Sequence, residues 1–167
     1  MSFTYSGLKT TIQNYMDNDE TTFTNTLDTF IKLSEEKILK TVQLDEFRKN
    51  VTGTASSGGT YLGKPSDYLD PLSLAVLDSD NKYTYLLLKQ VTWIRDYTPI
   101  AATTGAPKYY ASFDEDTFIL APTPNANLTF ELHYVYRPGS LTAAGDSGTT
   151  WLSINAEDAL LYGALVE

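Results

Sequence analysis

The spacing of apolar residues changes along the chain, and this change limits the folds that the chain can adopt. Before about residue 45, apolar residues recur every three or four positions, and Leu8, Ile12 and Tyr15 form the first such stripe. Between about residues 45 and 140, apolar and polar residues alternate. The sequence therefore predicts an α+β protein in which helical and β-rich segments are separate along the chain.

The longest helical pattern covers residues 20–41. Its apolar positions fall on one face of a helix, together with one serine: Phe23, Leu27, Phe30, Ile31, Ser34 and Ile38. The acidic and amide residues 17–20 interrupt the pattern before it, and such side chains cap helix N-termini by accepting bonds from free N–H groups. We predict two N-terminal helices within residues 6–42, the second over 20–41.

The middle of the chain has the pattern of short antiparallel strands. Residues 128–136 alternate in hydropathy, as do Leu72, Leu74 and Val76 with their neighbours. Turn-forming residues separate such segments, at 56–59, 78–81, 114–116 and 124–127. This spacing predicts an antiparallel β-sandwich or barrel inserted into the helical frame. Residues 91–97 are predicted to form a helical turn, and 98–107 an exposed loop.

The C-terminal segment is predicted to return to helix. Residues 142–148 have the composition of a flexible connector, and Asn155 could cap a helix with Glu157 and Asp158 in its first turn. The helical pattern is still running at Glu167, so we expect the native chain to continue. The predicted parts are an N-terminal helical part over 1–44, a β-rich domain over 45–147 and a helix over 148–167. We expect this last helix to pack on the N-terminal ones as part of an antiparallel frame.

Composition excludes several functional classes. With a net charge of −9 and only 12 scattered lysines and arginines, the chain lacks the basic cluster of a protein that grips duplex DNA. The absence of cysteine excludes disulfides and thiolate metal sites. Neither a signal peptide nor an apolar run of about 20 residues is evident, so we expect folding in a cytoplasm.

The sequence offers little for catalysis. His133, the one histidine, lies on the polar face of a predicted strand with Glu131 as its same-face neighbour. The segment 78–81 resembles the start of a calcium loop, but it lacks the glycine and the distant glutamate of that loop. We therefore expect neither an enzyme nor a bound metal or cofactor.

Aromatic residues are the more informative set. The chain has twelve tyrosines, which suit interfaces because the ring covers apolar area while the hydroxyl stays hydrated or hydrogen-bonded. The residues that we expect at partner contacts are Tyr83, Tyr85, Trp93, Tyr97, Tyr109, Tyr110 and Trp151. Exposed aromatics also suit a carbohydrate- or receptor-binding β-sandwich, so a non-catalytic binding module stays open as an alternative.

Several short motifs occur in a fixed order along nearly the whole chain. The first covers residues 30–38 in the predicted second helix, and the next is a turn at 64–69 that enters a strand. A proline-flanked hairpin follows at 107–110 and 118–124, and residues 132–138 and 150–152 complete the pattern. In this order the motifs resemble those of the head-to-tail adaptor proteins that lie beneath the portal of tailed bacteriophages, with Ser34 where that family usually has alanine.

The resemblance implies a ring, commonly of twelve copies, that contacts the portal above and a tail or nozzle protein below in the virion neck. Double-stranded DNA would pass through the ring without being bound in a sequence-specific way, no membrane would be involved, and no catalytic residues are implied. We expect rim or channel charge at Glu35, Glu36, Asp114, Glu115 and Asp116. We expect portal docking at the C-terminal residues Leu161, Leu165 and Glu167.

Overall fold

The computed structural model describes residues 2–42, 44–77, 82–100 and 102–167. The chain divides into two compact units, one formed by Met1–Leu44 with Pro138–Glu167 and the other by Asp45–Arg137. Residues 138–147, which the sequence predicts as part of the β-rich domain, therefore belong to the helical unit. The predicted mixture of α and β structure is confirmed.

The described residues contain five α-helices and ten β-strands. The helices are α1 Tyr5–Met16, α2 Thr21–Thr41, α3 Val91–Tyr97, α4 Trp151–Asn155 and α5 Glu157–Val166. The strands are β1 Arg48–Ala55, β2 Tyr61–Gly63, β3 Tyr68–Leu77, β4 Tyr83–Tyr85, β5 Leu87–Leu88, β6 Thr104–Gly105, β7 Tyr109–Ser112, β8 Thr117–Ala121, β9 Thr123–Pro124 and β10 Leu128–Tyr136. Along these ranges, none of the helices combines the length and hydropathy needed to cross a lipid bilayer.

The helical unit is built on the predicted second helix, α2, which begins and ends within one residue of the predicted range. Its core joins α1, α2 and α5 through the apolar residues Leu8, Ile12, Leu27, Ile31, Leu160 and Ala164. Tyr15, the third residue of the predicted first stripe, is exposed instead. Asp17 does not cap α2: it ends α1 in the left-handed conformation, with φ at 47°.

The C-terminal segment differs from the prediction in two respects. Residues 142–148 are not a free connector, because the backbone N–H of Tyr5 donates to the carbonyl of Gly148 at 3.1 Å and that of Ser6 to the carbonyl of Asp146 at 3.1 Å. Asn155 does not cap a helix but ends α4. The cap of α4 is Thr150, whose hydroxyl accepts from the backbone N–H of Ser153.

The β-rich unit contains two four-stranded sheets and one two-stranded sheet. The first sheet has the order β1-β10-β3-β4, the second β2-β8-β7-β5, and the small sheet pairs β6 with β9. Both four-stranded sheets contribute to one apolar core, which includes Leu74, Phe130 and Leu132 from the first and Phe118 and Leu120 from the second. The described strands do not close into a barrel.

The alternation predicted for residues 128–136 is confirmed, since Phe130, Leu132 and Tyr134 are buried. In β3 the pattern differs: Leu72 is exposed, and Leu74, Ala75 and Val76 are buried in succession. The predicted turn at 78–81 lies outside the described residues.

The helical turn predicted at 91–97 is confirmed as α3. Ile94 anchors it against β7 and β8 in a small core with Ala111, Ile119 and Ala121. The predicted exposed loop over 98–107 is only partly open, because it includes β6, paired in parallel with β9, and the buried Pro107.

Candidate interaction surfaces

Three aromatic side chains form a cluster on one side of the β-rich unit. The rings of Trp93 and Tyr97, one helical turn apart on α3, stack with centroids 5.2 Å apart and an interplanar angle of 9°. Tyr109, on the neighbouring β7, meets both rings edge-on at 4.7 Å and 4.9 Å. Trp93 and Tyr97 are exposed. This arrangement holds a broad apolar surface rigid and accessible, as protein contacts favour.

An open groove of about 710 Å³ runs beside this cluster. Its lining consists of Leu88, Lys89, Gln90, Val91, Trp93 and Ser112. The ammonium group of Lys89 lies 5.2 Å from the Trp93 ring centroid, which places a cation over the aromatic face. Among these lining residues are long apolar side chains and a single charge, a composition that suits a protein side chain better than a small charged ligand.

The edge strand β4 carries two further predicted contact residues. The rings of Tyr83 and Tyr85 stack at 6.3 Å, and both side chains are exposed. The Tyr83 hydroxyl donates to Glu131 Oε2 at 3.0 Å, and this hydrogen bond raises the pKa of Tyr83. Leu87 and Leu88 on β5 extend the apolar exposure, at 59% and 53%. Sequence reasoning missed these leucines, although two adjacent leucines in a strand direct one of them outward.

The opposite edge of the same sheet, β1, is open as well. Seven of its eight residues are exposed, and only Ala55 is buried. The sequence of β1 contains a signal for this exposure, because Asn50, Thr52 and Thr54 alternate with residues that include only one large apolar side chain, Val51. None of the predicted contact residues lies in β1.

Burial contradicts an exposed role for three of the predicted residues. Tyr110 is 3% exposed and belongs to the core shared by the two sheets, where burial raises the pKa of its phenol. Glu35 is 5% exposed, so its charge does not lie on a rim of this chain. Leu161 is likewise buried in the core of the helical unit. In each case the residue stabilises the fold and is not available at the chain's surface.

The remaining predicted charges are accessible. Glu36 is half-buried and pairs with Lys40 at 3.1 Å, while Asp114, Glu115 and Asp116 form an exposed turn. Asp114 Oδ1 accepts from the Thr117 hydroxyl and from the backbone N–H groups of Asp116 and Thr117. These bonds, that of the Thr117 side chain first, lower the pKa of Asp114. The carboxylate therefore organises its own hairpin.

A pocket of about 200 Å³ opens at the C-terminal end of α5. Leu165 and Glu167 line it together with Ile12, Met16, Phe23, Phe30 and Ala164. The Glu167 carboxylate pairs with the ammonium group of Lys37 on α2. Two of the three predicted docking residues thus lie at one apolar opening of the helical unit.

Trp151, the last predicted contact residue, begins α4 and is half-buried.

The polar groups considered for chemistry do not converge. His133 is half-buried and lies opposite Ser73 and Asn50 in the sheet, while Glu131 accepts the hydrogen bond from Tyr83. Across the described ranges, no group of three or more histidine, aspartate or glutamate side chains is arranged to hold a metal ion. The calcium-loop resemblance at 78–81 lies outside those ranges.

A family model described as SU10 adaptor protein matches residues 3–167. The match extends over nearly the whole chain, and the chain therefore belongs to this phage adaptor family, which confirms the resemblance inferred from the short motifs. A comparison with curated proteins finds no match.

Proposed function

We propose that this adaptor is a non-enzymatic structural protein of the neck of a tailed phage. Several copies, twelve in our proposal, would form a ring between the portal and the tail or nozzle protein. The ring would assemble in the host cytoplasm and remain in the virion below the portal vertex. Membership of a phage adaptor family supports a role in the virion, and the exposed surfaces described above support protein contacts.

The observation that carries the proposal is the concentration of exposed apolar side chains between residues 83 and 100. The residues in this segment that expose large apolar side chains are Tyr83, Tyr85, Leu87, Leu88, Trp93, Tyr97 and Ile100. Large apolar side chains concentrated at the surface in this way typically mark a protein contact. A ring subunit needs such surfaces on two sides, because each subunit meets one neighbour on either side through different patches.

The charge of the chain is compatible with a DNA channel. At a net charge of −9, the chain repels the phosphate backbone as a whole, so DNA would pass without tight or sequence-specific binding. The exposed turn of Asp114, Glu115 and Asp116 and the half-buried Glu36 remain our candidates for channel or rim charge. Glu35 is not among them, because it is buried.

The proposal also includes the arrangement of the β-rich unit and the site of portal docking. We interpret the two four-stranded sheets, which share one apolar core, as a β-sandwich inserted into an antiparallel helical frame. We assign portal docking to the C-terminal opening with Leu165 and Glu167, where an apolar side chain of the portal would enter the pocket.

The carbohydrate-binding alternative has less support. A flat sugar ring needs an uncovered aromatic face, but one face of Trp93 stacks on Tyr97 and the Lys89 ammonium group lies over the ring. The stacked pair Tyr83 and Tyr85 is tied to Glu131 by the Tyr83 hydroxyl. We therefore favour protein contact as the role of these side chains.

Co-assembly with the purified portal of the same phage tests the proposal. Native mass spectrometry of the mixture should give a complex with several copies of the chain on one portal ring. The variant Leu165→Asp should weaken this complex, and the variant Thr29→Asp, at an exposed position of α2, should not. Failure of the wild-type chain to bind the portal at any ratio would contradict the proposed position.

A further inference from the structure

Among the described strands, the first sheet of the β-rich unit is open at both edges, β1 and β4. The two edge strands carry different side chains in the same rows of the sheet. Residues opposite each other in a ladder share a face of the sheet. One row across the sheet is therefore Thr52, Glu131, Ala75 and Tyr85. The next is Thr54, Thr129, Leu77 and Tyr83. Each row begins with a threonine at the β1 edge and ends with a tyrosine at the β4 edge.

From Asn50 onward, the β1 edge lacks the usual features that prevent strand pairing. In β1, all of whose residues are described, the pairing with β10 runs through eight residue pairs without a register shift. Beyond Lys49 the strand has neither charge nor proline. Natural proteins normally block long edge strands with bulges, prolines or charges, because the free N–H and C=O groups would otherwise pair with another strand.

The side of β1 that faces the core is exposed as well over most of its length, and only Ala55 at the end of the strand is buried there. Val51 lies opposite Leu132, which is 5% exposed, yet Val51 itself is 39% exposed. Gly53 is the next residue on this face, and no described heavy atom outside Gly53 and its two chain neighbours lies within 4 Å of a Cβ built on it. Between Asn50 and Thr54, strand β1 therefore leaves both faces and one edge accessible.

The strand directions permit one sheet to continue into the next. All three pairings in the order β1-β10-β3-β4 are antiparallel, so β1 and β4 run in opposite directions. When copies are related by rotation about a ring axis, β1 of one copy meets β4 of the next as an antiparallel pair, with the faces of the two sheets in register. The exposed tyrosines of β4 would then pack beside the exposed threonines of β1, and aromatic with β-branched is a favourable cross-strand pair.

We propose that β1 of one copy pairs with β4 of the neighbouring copy, so that the four-stranded sheets form a continuous β-structure around the ring. The occupant of the β1 edge is thus a second copy of this chain, bound through main-chain hydrogen bonds and through Tyr83 and Tyr85 packed beside Thr52 and Thr54. This inference rests on the proposed ring. It adds the side-to-side contact that joins the subunits.

Paired cysteines test this contact, and the chain has none of its own. Particles are assembled with chains that carry Tyr85→Cys together with Asn50→Cys, Thr52→Cys or Thr54→Cys, and are then oxidised. Within one chain, Thr52 and Tyr85 are three strand spacings apart, about 14 Å. A disulfide requires Cα atoms within about 7 Å, so a bond between these positions must join two copies. Non-reducing electrophoresis should give a ladder of three or more linked copies for one of the three pairs.

A second series keeps both tyrosines. It can therefore still detect the contact if Tyr85→Cys prevents assembly in the first series. It combines Thr84→Cys with Val51→Cys or with Gly53→Cys, all on the opposite face of the sheet. The matched control Thr52→Cys with Thr84→Cys places the thiols on different faces and should give no ladder. Each single-cysteine chain should also stay unlinked.

Electron microscopy of the same particles separates the two proposals. Rings present without a ladder in either series overturn the edge pairing and leave the ring intact. Dimers of the single variant Thr52→Cys would show a two-fold β1–β1 contact, and a link to another virion protein would show a foreign strand at this edge. Both results overturn the inference. Particles without this chain in their neck overturn the proposed function itself.

Discussion

The backbone N–H of Leu141 donates a hydrogen bond of 2.8 Å to the side-chain Oε1 of Glu35. Both residues are buried in the helical unit, Glu35 at 5% exposure and Leu141 at 0%. The bond ties the middle of α2 to the 3-10 turn Leu141–Ala143. A carboxylate that sequence analysis placed on a rim therefore satisfies a buried donor, and its value to the protein lies in the fold.

Removal of the Glu35 carboxylate should destabilise the helical unit. Glu35→Ala leaves the Leu141 N–H buried without its acceptor, which costs about 1–3 kcal/mol. Glu35→Gln retains a side-chain oxygen and should cost less. Chemical denaturation with a matched measurement of amide exchange at Leu141 distinguishes the two variants. Equal stability of wild type and Glu35→Ala would contradict the role that we assign to this bond.

The contact between α2 and α5 depends on a glycine. A Cβ built on Gly163 lies 2.1 Å from Ser34 Oγ, and the Ser34 hydroxyl donates to the Leu160 carbonyl at 3.2 Å. Gly163→Ala should destabilise the unit by about 1–3 kcal/mol through overpacking, offset in part by the roughly 1 kcal/mol that alanine gains over glycine in a helix.

The double variant Ser34→Ala with Gly163→Ala should recover part of that loss, because the hydroxyl that obstructs the new methyl group is gone. Thermal unfolding of the four chains in this cycle gives the coupling between the two positions. Strict additivity of the two single changes would contradict direct contact.

Asp67 should make the β-rich unit sensitive to acid. Lys49 Nζ donates to its Oδ2 at 2.6 Å and the Tyr134 hydroxyl to its Oδ1 at 2.8 Å, and these bonds, that of Lys49 first, lower the pKa of Asp67. A lowered folded-state pKa stabilises the fold above the ordinary pKa of 3.8 and loses this effect as pH falls through the folded value. The unfolding free energy of wild type should therefore fall more steeply below pH 4 than that of Asp67→Asn.

Tyr134, whose hydroxyl donates to the Asp67 carboxylate, provides a second test of the same cluster. Burial, with the hydrogen bond to Asp67, raises the pKa of Tyr134 to about 12. Tyr134→Phe should cost about 1 kcal/mol and should raise the pKa of Asp67 as measured by NMR titration of the carboxyl carbon. An unchanged Asp67 titration would mean that the hydroxyl does not hold the carboxylate.

Local patterns in the sequence predicted the elements that have a strong period. Helix α2 has a clear apolar face over its whole length, and β10 alternates over nine residues, so both were recognised without tertiary information. Helix ends were predicted less well. Asp17 and Asn155 have side chains that could cap the next helix, but one ends α1 in the left-handed conformation and the other ends α4.

Burial of the candidate site residues could not be predicted in the same way. Glu35 and its partner Leu141 are 106 positions apart, and no feature of the sequence near Glu35 indicates that it accepts a hydrogen bond from the Leu141 N–H. Tyr110 and Tyr109 are adjacent in one strand and both are tyrosine, but Tyr110 faces the core shared by the sheets and Tyr109 faces α3. Tyr83 and Tyr85 are exposed, but their role in partner contacts remains a prediction. Exposure makes a side chain accessible and does not identify what it contacts.

The exposed leucines of β5 should matter for assembly and not for folding. Leu87→Asp with Leu88→Asp replaces two exposed apolar side chains, so the melting temperature should stay within about 2 °C of wild type. Incorporation into particles should fall at least about tenfold, since charge in an apolar contact is unfavourable. The control Ser57→Asp, at an exposed turn of the same unit, should incorporate normally. Normal incorporation of the double aspartate variant would exclude this patch from the contacts.

Cryo-electron microscopy of the virion neck tests the central claim most directly. A reconstruction focused below the portal should contain a ring of this chain, with residues 83–100 at contacts between proteins and the channel open along its axis. Density for the chain elsewhere in the particle, or a neck whose rings are fully accounted for by other proteins, would contradict the proposed role.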